Sequence, residues 1–204
     1  MKETLSVHRC PQCGAPASAR PKKCEYCEAE FVVTSLASLD RCGKPGLQKY
    51  VAHYNEGLKA DPDNAEIHQA KGICFLELGM FDFAAKSLDR AIELNPENPD
   101  TYYYRAVGLV KGRKPRLLSL TEIKAVDENL AAAAQLNIAR ATCHYLRLIV
   151  RADYFQRHGL RLPPPTIPEL LAEAQSLPCD LQELRKLLAL VPVPDGPALA
   201  YLPG

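Results

Sequence analysis

The sequence predicts a mainly α-helical protein that begins with a small cysteine-rich module and ends with a proline-rich tail. Apolar residues recur at helical spacing from Leu47 to about Gly159. Five of the eight cysteines fall within the first 42 residues, whereas nine of the seventeen prolines lie between Pro163 and Gly204. These shifts of composition divide the chain into three predicted parts, residues 1–46, 47–160 and 161–204.

Composition excludes several classes of protein. The 204 residues are 47% hydrophobic with a formal net charge of +1, which excludes disorder along the whole length and a main role in coating nucleic acid. No apolar run approaches the roughly 18 residues of a membrane-spanning helix, and the polar first residues lack the apolar segment of a secretory signal. We therefore expect a cytoplasmic globular protein without a membrane partner.

The first module carries two Cys-x-x-Cys hooks. Cys10 and Cys13 form the first, and Cys24 and Cys27 form the second. Two hooks supply the four soft ligands of a tetrahedral zinc site, and Gly14 follows the first hook, where a positive φ is often required. Tight pairs in a cytosolic chain predict a metal rather than a disulfide framework. A module this small cannot bury much core, so we expect one structural Zn²⁺ to stabilise its fold.

The segment of about residues 8–33 resembles the short zinc ribbons of bacterial and archaeal proteins. These read CPxCG, a loop, CxxC and a nearby aromatic residue, here Phe31. The resemblance implies short β-hairpins around the metal. Rubredoxin-type iron and a redox dithiol remain alternatives, although Glu28 stands where rubredoxins have glycine. Cys42 and His8 are further candidate ligands, for which a free thiol and a solvated imidazole are the favoured interpretations.

Zinc ribbons also bind nucleic acid, so a nucleic-acid-associated accessory factor is the alternative function. Residues 1–46 contain seven Lys or Arg and five Asp or Glu. The basic side chains that flank the hooks are those of Arg9, Arg20, Lys22 and Lys23. Glu25, Glu28 and Glu30 adjoin the second hook. Because this mixed field makes a poor phosphate track, the sequence favours a solvated surface over nucleic acid.

A repeat signature marks the segment from Ala65 to Asn98. Its positions are Gly72, Leu78, Gly79, Phe81, Ala84, Leu88, Ala91, Leu94 and Pro96. The pattern resembles the tetratricopeptide repeat (TPR), in which two antiparallel helices form a unit of about 34 residues. His68 replaces the usual aromatic residue near the start. The resemblance implies a TPR-type α-solenoid of stacked helical hairpins.

One such hairpin cannot bury its apolar face alone, so neighbouring helices are expected on both sides. Upstream, Tyr50, Tyr54 and Gly57 fall in register for a helix that ends before Pro62. These residues extend the predicted array back to Leu47.

The downstream repeat is longer than the signature requires. Tyr102 and Ala106 open it, and its closing helix ends near Asn137. The extra residues at 112–116 predict an enlarged turn or an extended helix start. The next helix, at about residues 140–158, is predicted to cap the array.

The tail contains two predicted short helices. Thr166 and Glu169 form a capping box before the first, and Asp180 and Glu183 repeat the device before the second. We expect the leucines of the second helix to pack back onto the array in preference to docking on a partner.

TPR proteins generally hold a peptide or a helix in a concave groove lined by the first helix of each repeat, so the resemblance implies an adaptor or scaffold. Carried over by position, the groove residues are Gln69, Ile73, Leu76, Tyr103, Val107 and Val110. TPR proteins that grip a chaperone's C-terminal carboxylate have Lys and Asn where this chain has Gln69 and Ile73. The mixed apolar and amide groove suits a protein or peptide partner in extended or amphipathic-helical form.

No catalytic motif accompanies these modules. The sequence has no phosphate-binding glycine loop, no paired His/Glu metal motif and no nucleophilic serine in a strand–turn–helix context. We therefore expect no enzymatic activity.

Overall fold

The computed structural model describes residues 9–17, 22–161, 164–193 and 200–203. The chain divides into two compact units, Met1–Asn95 and Pro96–Gly204. The helices among the described residues are α1 (Lys44–Ala60), α2 (Ala65–Glu77), α3 (Phe81–Leu94), α4 (Pro99–Val110), α5 (Leu120–Gln135), α6 (Ala141–Val150), α7 (Ile167–Ser176) and α8 (Leu181–Leu190). Within the described part, no helix combines the length and the apolarity needed to cross a bilayer.

Helices α2 and α3 form the hairpin that the repeat signature predicts. The Asn64 side chain accepts a hydrogen bond from the Ile67 N–H at the start of α2, and Gly79 reverses the chain at a positive φ of 71°. Gly72 lies directly against Leu88, which leaves no room for a side chain at position 72. The small and bulky residues of the signature therefore pack as expected.

Helix α1 packs against α2 in the first unit. Its buried residues include Tyr50, Tyr54 and Gly57, the positions that the repeat register marks. Between the second hook and α1, Leu36 and Leu39 are fully buried. These residues join the cysteine module to the helices within one compact unit.

The β-hairpins expected around the hooks are not shown. The described residues of this module contain isolated antiparallel bridges, Arg9 with Pro16 and Lys23 with Glu30, in place of strands. Each bridge joins the residue just before a hook to a residue just after it, so each hook is closed by a single bridged pair. Among the described residues the paired turns are present, and the expected strands are not shown.

In the second unit α4 packs against α5, and α5 packs against α6. The connection after α4 is an enlarged turn: Lys111 adopts a left-handed conformation with φ of 54°, and a short 3₁₀ helix spans Pro115–Leu117. Ser119 and Glu122 then form a complete capping box at the start of α5. Of the two predicted alternatives for the extra residues, the turn is found.

All ten residues of α6 are buried, because α7 and α8 both pack against it. The helix predicted to cap the array is thus itself covered by the tail. A π-helical segment, Arg151–Gln156, follows directly. The tail packs back onto the helices, which is the alternative that the sequence favours.

A buried ion-pair network joins α5 to α6 and the π-helical segment. Asp127 accepts hydrogen bonds of 3.0 Å from Nε of Arg147 and 3.0 Å from Nε of Arg151. Burial acts to raise the pKa of Asp127, but the bonds from both arginines outweigh it and the pKa is lowered. The carboxylate therefore stays charged and satisfies two arginines that are less than 10% exposed.

Candidate functional site

The two hooks have nearly the same backbone geometry. In the first, the Gly14 N–H donates to the Cys10 carbonyl oxygen over 2.9 Å, and in the second the Glu28 N–H donates to the Cys24 carbonyl oxygen over 2.9 Å. Gly14 has φ of 76° and Glu28 has φ of 59°. The positive φ predicted at Gly14 is confirmed, and Glu28 adopts the same strained conformation without being glycine.

The hooks bring the four sulfur atoms of Cys10, Cys13, Cys24 and Cys27 within 4.8 Å of one another. Across the hooks, the Sγ atoms of Cys10 and Cys27 are 3.7 Å apart, as are those of Cys13 and Cys24. A tetrahedral Zn²⁺ with sulfur ligands at about 2.3 Å requires sulfur–sulfur separations of about 3.8 Å. The four cysteines therefore fit a metal ion of this size.

The thiols differ in acidity according to their surroundings. The Tyr26 N–H hydrogen-bonds Cys24 and lowers the pKa of this thiol to about 7. Burial raises the pKa of Cys27 to about 12. A divalent cation among four thiols stabilises all of them as thiolates. Four sulfur ligands fill a tetrahedral shell and leave no position for water, so this donor set suits a structural role.

An apolar shell surrounds the sulfur atoms. Phe31, the aromatic residue of the ribbon pattern, is 3% exposed and clusters with Cys10 and Cys24. Cys42 lies outside the four-cysteine cluster, with its Sγ 3.6 Å from Oε1 of Gln12. The other additional candidate, His8, lies outside the described residues.

Two tyrosines of α1 attach the cysteine module to the helices, a role that the sequence did not reveal. The Tyr50 hydroxyl donates to the Glu30 carbonyl oxygen over 2.7 Å. The Tyr54 hydroxyl donates to the Phe31 carbonyl oxygen over 3.1 Å and accepts from the Val33 N–H over 3.0 Å. Both side chains are 1% exposed, so these bonds hold the segment after Cys27 at a fixed position on α1.

The predicted groove residues are placed mostly in the core. Those with 0% exposure are Ile73, Leu76, Tyr103, Val107 and Val110. Gln69 is the exception and is half-buried. In the first unit α2 packs between α1 and α3, and in the second unit α4 packs against α5. The five buried side chains are therefore inaccessible to a partner in this structure, which corrects their assignment as direct contacts.

The basic side chains described near the hooks are accompanied by exposed acidic ones. Arg9, Lys22 and Lys23 are exposed, but so are Glu25 and Glu28, and Arg20 lies outside the described residues. Exposed side chains of both signs therefore occur in this module, which does not favour nucleic-acid binding.

No family model matches the sequence. The chain is 30% identical over 120 residues to Hsc70-interacting protein 1 of Drosophila melanogaster, which covers 57% of this chain and 30% of that protein. It is 31% identical over 85 residues to tetratricopeptide repeat protein 28 of Homo sapiens, which covers 40% of this chain and 3% of that protein. The chain therefore spans less than a third of the curated relatives that it matches.

Among solved structures, a mutant O-GlcNAc transferase of Thermobaculum terrenum superposes with a TM-score of 0.53 at 18% identity. The superposition covers 69% of this chain and 24% of that chain. Similarity at this level of identity concerns the fold alone. With the relatives found by sequence, it shows that the chain has a TPR-like helical fold.

Proposed function

We propose that this chain is a non-enzymatic adaptor or scaffold of the cytoplasm, which binds a protein or peptide partner through its TPR-like helices. The observation that carries the proposal is the close packing of α2 on α3, where Gly72 meets Leu88 at the spacing of the TPR signature. Helical hairpins of this type generally serve to hold peptides or helices.

We place the partner surface on the first helix of each repeat, α2 and α4. On α2, the half-buried Gln69 lies on the same face of the helix as Ile73 and Leu76, which follow it by four and seven residues. A polar amide at the edge of this face suits the backbone of a bound peptide. Ile73 and Leu76 are fully buried, so their role would be to hold α2 in place and not to contact the partner.

The contact with Hsc70 in the name of the Drosophila relative is a property of that protein. This chain covers 30% of it and has Gln69 and Ile73 where carboxylate-gripping TPR proteins have Lys and Asn. We therefore propose a partner other than a chaperone C-terminus.

Site-specific photocrosslinking tests the adaptor function. A photoreactive side chain replaces Gln69 on α2 or, as the control, the exposed Lys86 on α3. Irradiation in the native host is expected to yield discrete crosslinked proteins from position 69 and none of the same proteins from position 86. Absence of crosslinks at position 69, or the same products at both positions, would count against a partner surface on α2.

We also propose that the four-cysteine cluster holds one structural Zn²⁺. Its support is the sulfur spacing of 3.7 Å across the hooks and the closed shell of four thiolates. Cys13→Ser should abolish stoichiometric zinc in the purified protein and should expose the Gly14 and Glu28 amides to hydrogen exchange. Cys42→Ser, outside the cluster, should change neither. Stoichiometric zinc in the Cys13→Ser protein, or its loss in the control, would contradict the assignment.

A further inference from the structure

Positive charge is concentrated in two short segments of the second unit. The enlarged turn after α4, residues 111–116, contains four cationic residues and no acidic one. Residues 157–161, which follow the π-helical segment, contain Arg157 and Arg161 and again no acidic residue. The whole chain has a formal net charge of +1, so these segments differ from the rest of the protein in the charge that they offer a partner.

One buried carboxylate holds the two segments together. The 3₁₀ helix Pro115–Leu117 packs against the π-helical segment Arg151–Gln156. Asp153, in that segment, is 2% exposed and accepts a hydrogen bond of 3.1 Å from the Arg116 N–H. Its Oδ1 also lies 3.8 Å from Nη1 of Arg116 and 3.9 Å from Nε of Arg157. These two nitrogen atoms are therefore at most 7.7 Å apart, the sum of the two distances, so Arg116 and Arg157 belong to one surface.

The positive charge of this surface exceeds what its acidic residue balances. The single charge of Asp153 cannot neutralise two guanidinium groups. Its distance of 3.9 Å from Arg157 is longer than a hydrogen bond, and the Arg157 side chain is 42% exposed. Among the described residues, no carboxylate lies within ion-pair distance of Lys114 or Arg161. We give the name basic cluster to Lys114, Arg116, Arg157 and Arg161.

Two exposed leucines adjoin the basic cluster. Leu117 follows Arg116 and is 66% exposed, and Leu160 precedes Arg161 and is 42% exposed. A nucleic-acid backbone supplies phosphates for the cations but no apolar group for the leucines. A bilayer supplies both, but peripheral attachment generally uses a broad apolar helix face or a larger set of cations. A peptide that carries acidic and aliphatic side chains matches this small surface better.

We propose that the basic cluster binds an acidic segment of the adaptor's protein partner. Glutamate or aspartate side chains of that segment pair with Lys114, Arg157 and Arg161, and its aliphatic side chains contact Leu117 and Leu160. This inference rests on the proposed adaptor function and adds a second contact site, in the second unit, together with the chemistry of the partner.

Fluorescence anisotropy with synthetic peptides tests the charge on the full chain. The probe is a labelled peptide of glutamate, leucine and serine residues, and its control has glutamine in place of every glutamate. The glutamate peptide should bind the wild type saturably and more weakly as salt is added, whereas the glutamine peptide should not bind measurably. Equal binding of both peptides, or binding of neither, would overturn the proposal.

Charge substitutions show whether the basic cluster is the site. The Lys114→Gln/Arg157→Gln protein should bind the glutamate peptide about 3- to 30-fold more weakly than the wild type, as expected for the loss of two exposed ion pairs. The control, Lys86→Gln/Lys124→Gln, removes the same charge at two exposed positions outside the cluster and should bind within about twofold of the wild type. Equal weakening in both double variants would mean that the peptide responds to net charge alone, against the assignment.

The leucines are tested against the apolar residues of the peptide. Leu117→Gln should weaken binding of the glutamate peptide about 3- to 10-fold, but should leave unchanged the binding of a version in which serine replaces leucine. Leu181→Gln, at a 47% exposed position of α8, is the control and should weaken neither. An equal effect of Leu117→Gln on both peptides would refute the apolar contact.

Two further probes separate a protein partner from the other polyanions. A labelled RNA oligomer and phosphatidylserine vesicles are measured with the same variants. If either binds in a manner sensitive to Lys114→Gln/Arg157→Gln while the glutamate peptide does not bind, the assignment to a protein partner is wrong. Because the Gln69 crosslinks report on the first unit, their success with failure of the peptide would refute the basic-cluster proposal alone. Peptide binding without the Gln69 crosslinks would instead refute the partner surface on α2.

Discussion

Replacing Gly72 by alanine places a methyl group where α2 meets α3. Its Cβ would lie 2.6 Å from Cγ and 2.8 Å from Cδ2 of Leu88. Ordinary carbon–carbon contacts are about 3.5–4.0 Å, so the overlap is about 1 Å. Leu88 is fully buried and has little space into which to move. The substitution therefore tests whether this close approach holds the hairpin together.

Two opposing terms set the expected magnitude. Overpacking of a buried contact costs about 1–3 kcal/mol, whereas alanine is favoured over glycine in a helix by about 1 kcal/mol. Gly72→Ala should therefore lower the free energy of unfolding by up to about 2 kcal/mol. In a Leu88→Ala background, itself destabilised by about 2–5 kcal/mol, the added methyl has room. In that background, Gly72→Ala should raise the free energy of unfolding by up to about 1 kcal/mol.

Urea titration of the four proteins in this cycle, followed by circular dichroism at constant zinc, measures both terms. Gly79→Ala is the control, because Gly79 has φ of 71° and no neighbour within 4 Å of its added Cβ. Its cost of about 1–2 kcal/mol arises from the backbone conformation and should be the same in the wild-type and the Leu88→Ala backgrounds. A Gly72→Ala penalty that is also unchanged by Leu88→Ala would refute the packing argument.

Two further substitutions test the contacts that organise each unit. Tyr54→Phe removes the buried hydroxyl that bonds the chain after the second hook, and should lower the free energy of unfolding by about 1–3 kcal/mol. The control is Tyr26→Phe, at a 70% exposed side chain, which should cost nothing measurable. Asp127→Asn leaves two buried arginines without their carboxylate and should cost about 3–5 kcal/mol, whereas the exposed Glu128→Gln should be neutral. Because the pKa of Asp127 lies below its usual 3.8, its contribution is present at higher pH and is lost as the pH falls through the lowered pKa. Stability curves from pH 2 to pH 7 that are parallel for wild type and Asp127→Asn would contradict this linkage.

Local patterns in the sequence predicted local structure well. Gly14 and the two cysteine pairs specified turns whose hydrogen bonds close within five residues, so the four-cysteine cluster could be predicted from this segment alone. The spacing of Gly72, Ala84 and Leu88 likewise predicted the α2–α3 hairpin, because the register of two adjacent helices follows from their own side-chain sizes.

Contacts between distant residues were not predictable from these patterns. Tyr104 and Glu183 are 79 residues apart in sequence, and a glutamate three residues after Asp180 has the pattern of a helix cap rather than of a buried acid. The rings of Tyr50 and Tyr54 fit the repeat register, while their hydroxyls donate to carbonyl oxygens of the cysteine module. The groove prediction was wrong about accessibility for the same reason. The pattern of one repeat does not show which other helices bury its groove residues.

The non-enzymatic role proposed for this chain requires a closed metal centre, because four sulfur ligands leave no position for a reacting water. X-ray absorption at the zinc edge of the purified protein measures the ligands themselves. We expect one zinc per chain with four sulfur neighbours at about 2.3 Å. A shell that contains oxygen or nitrogen ligands, or iron in place of zinc, would contradict the closed structural centre.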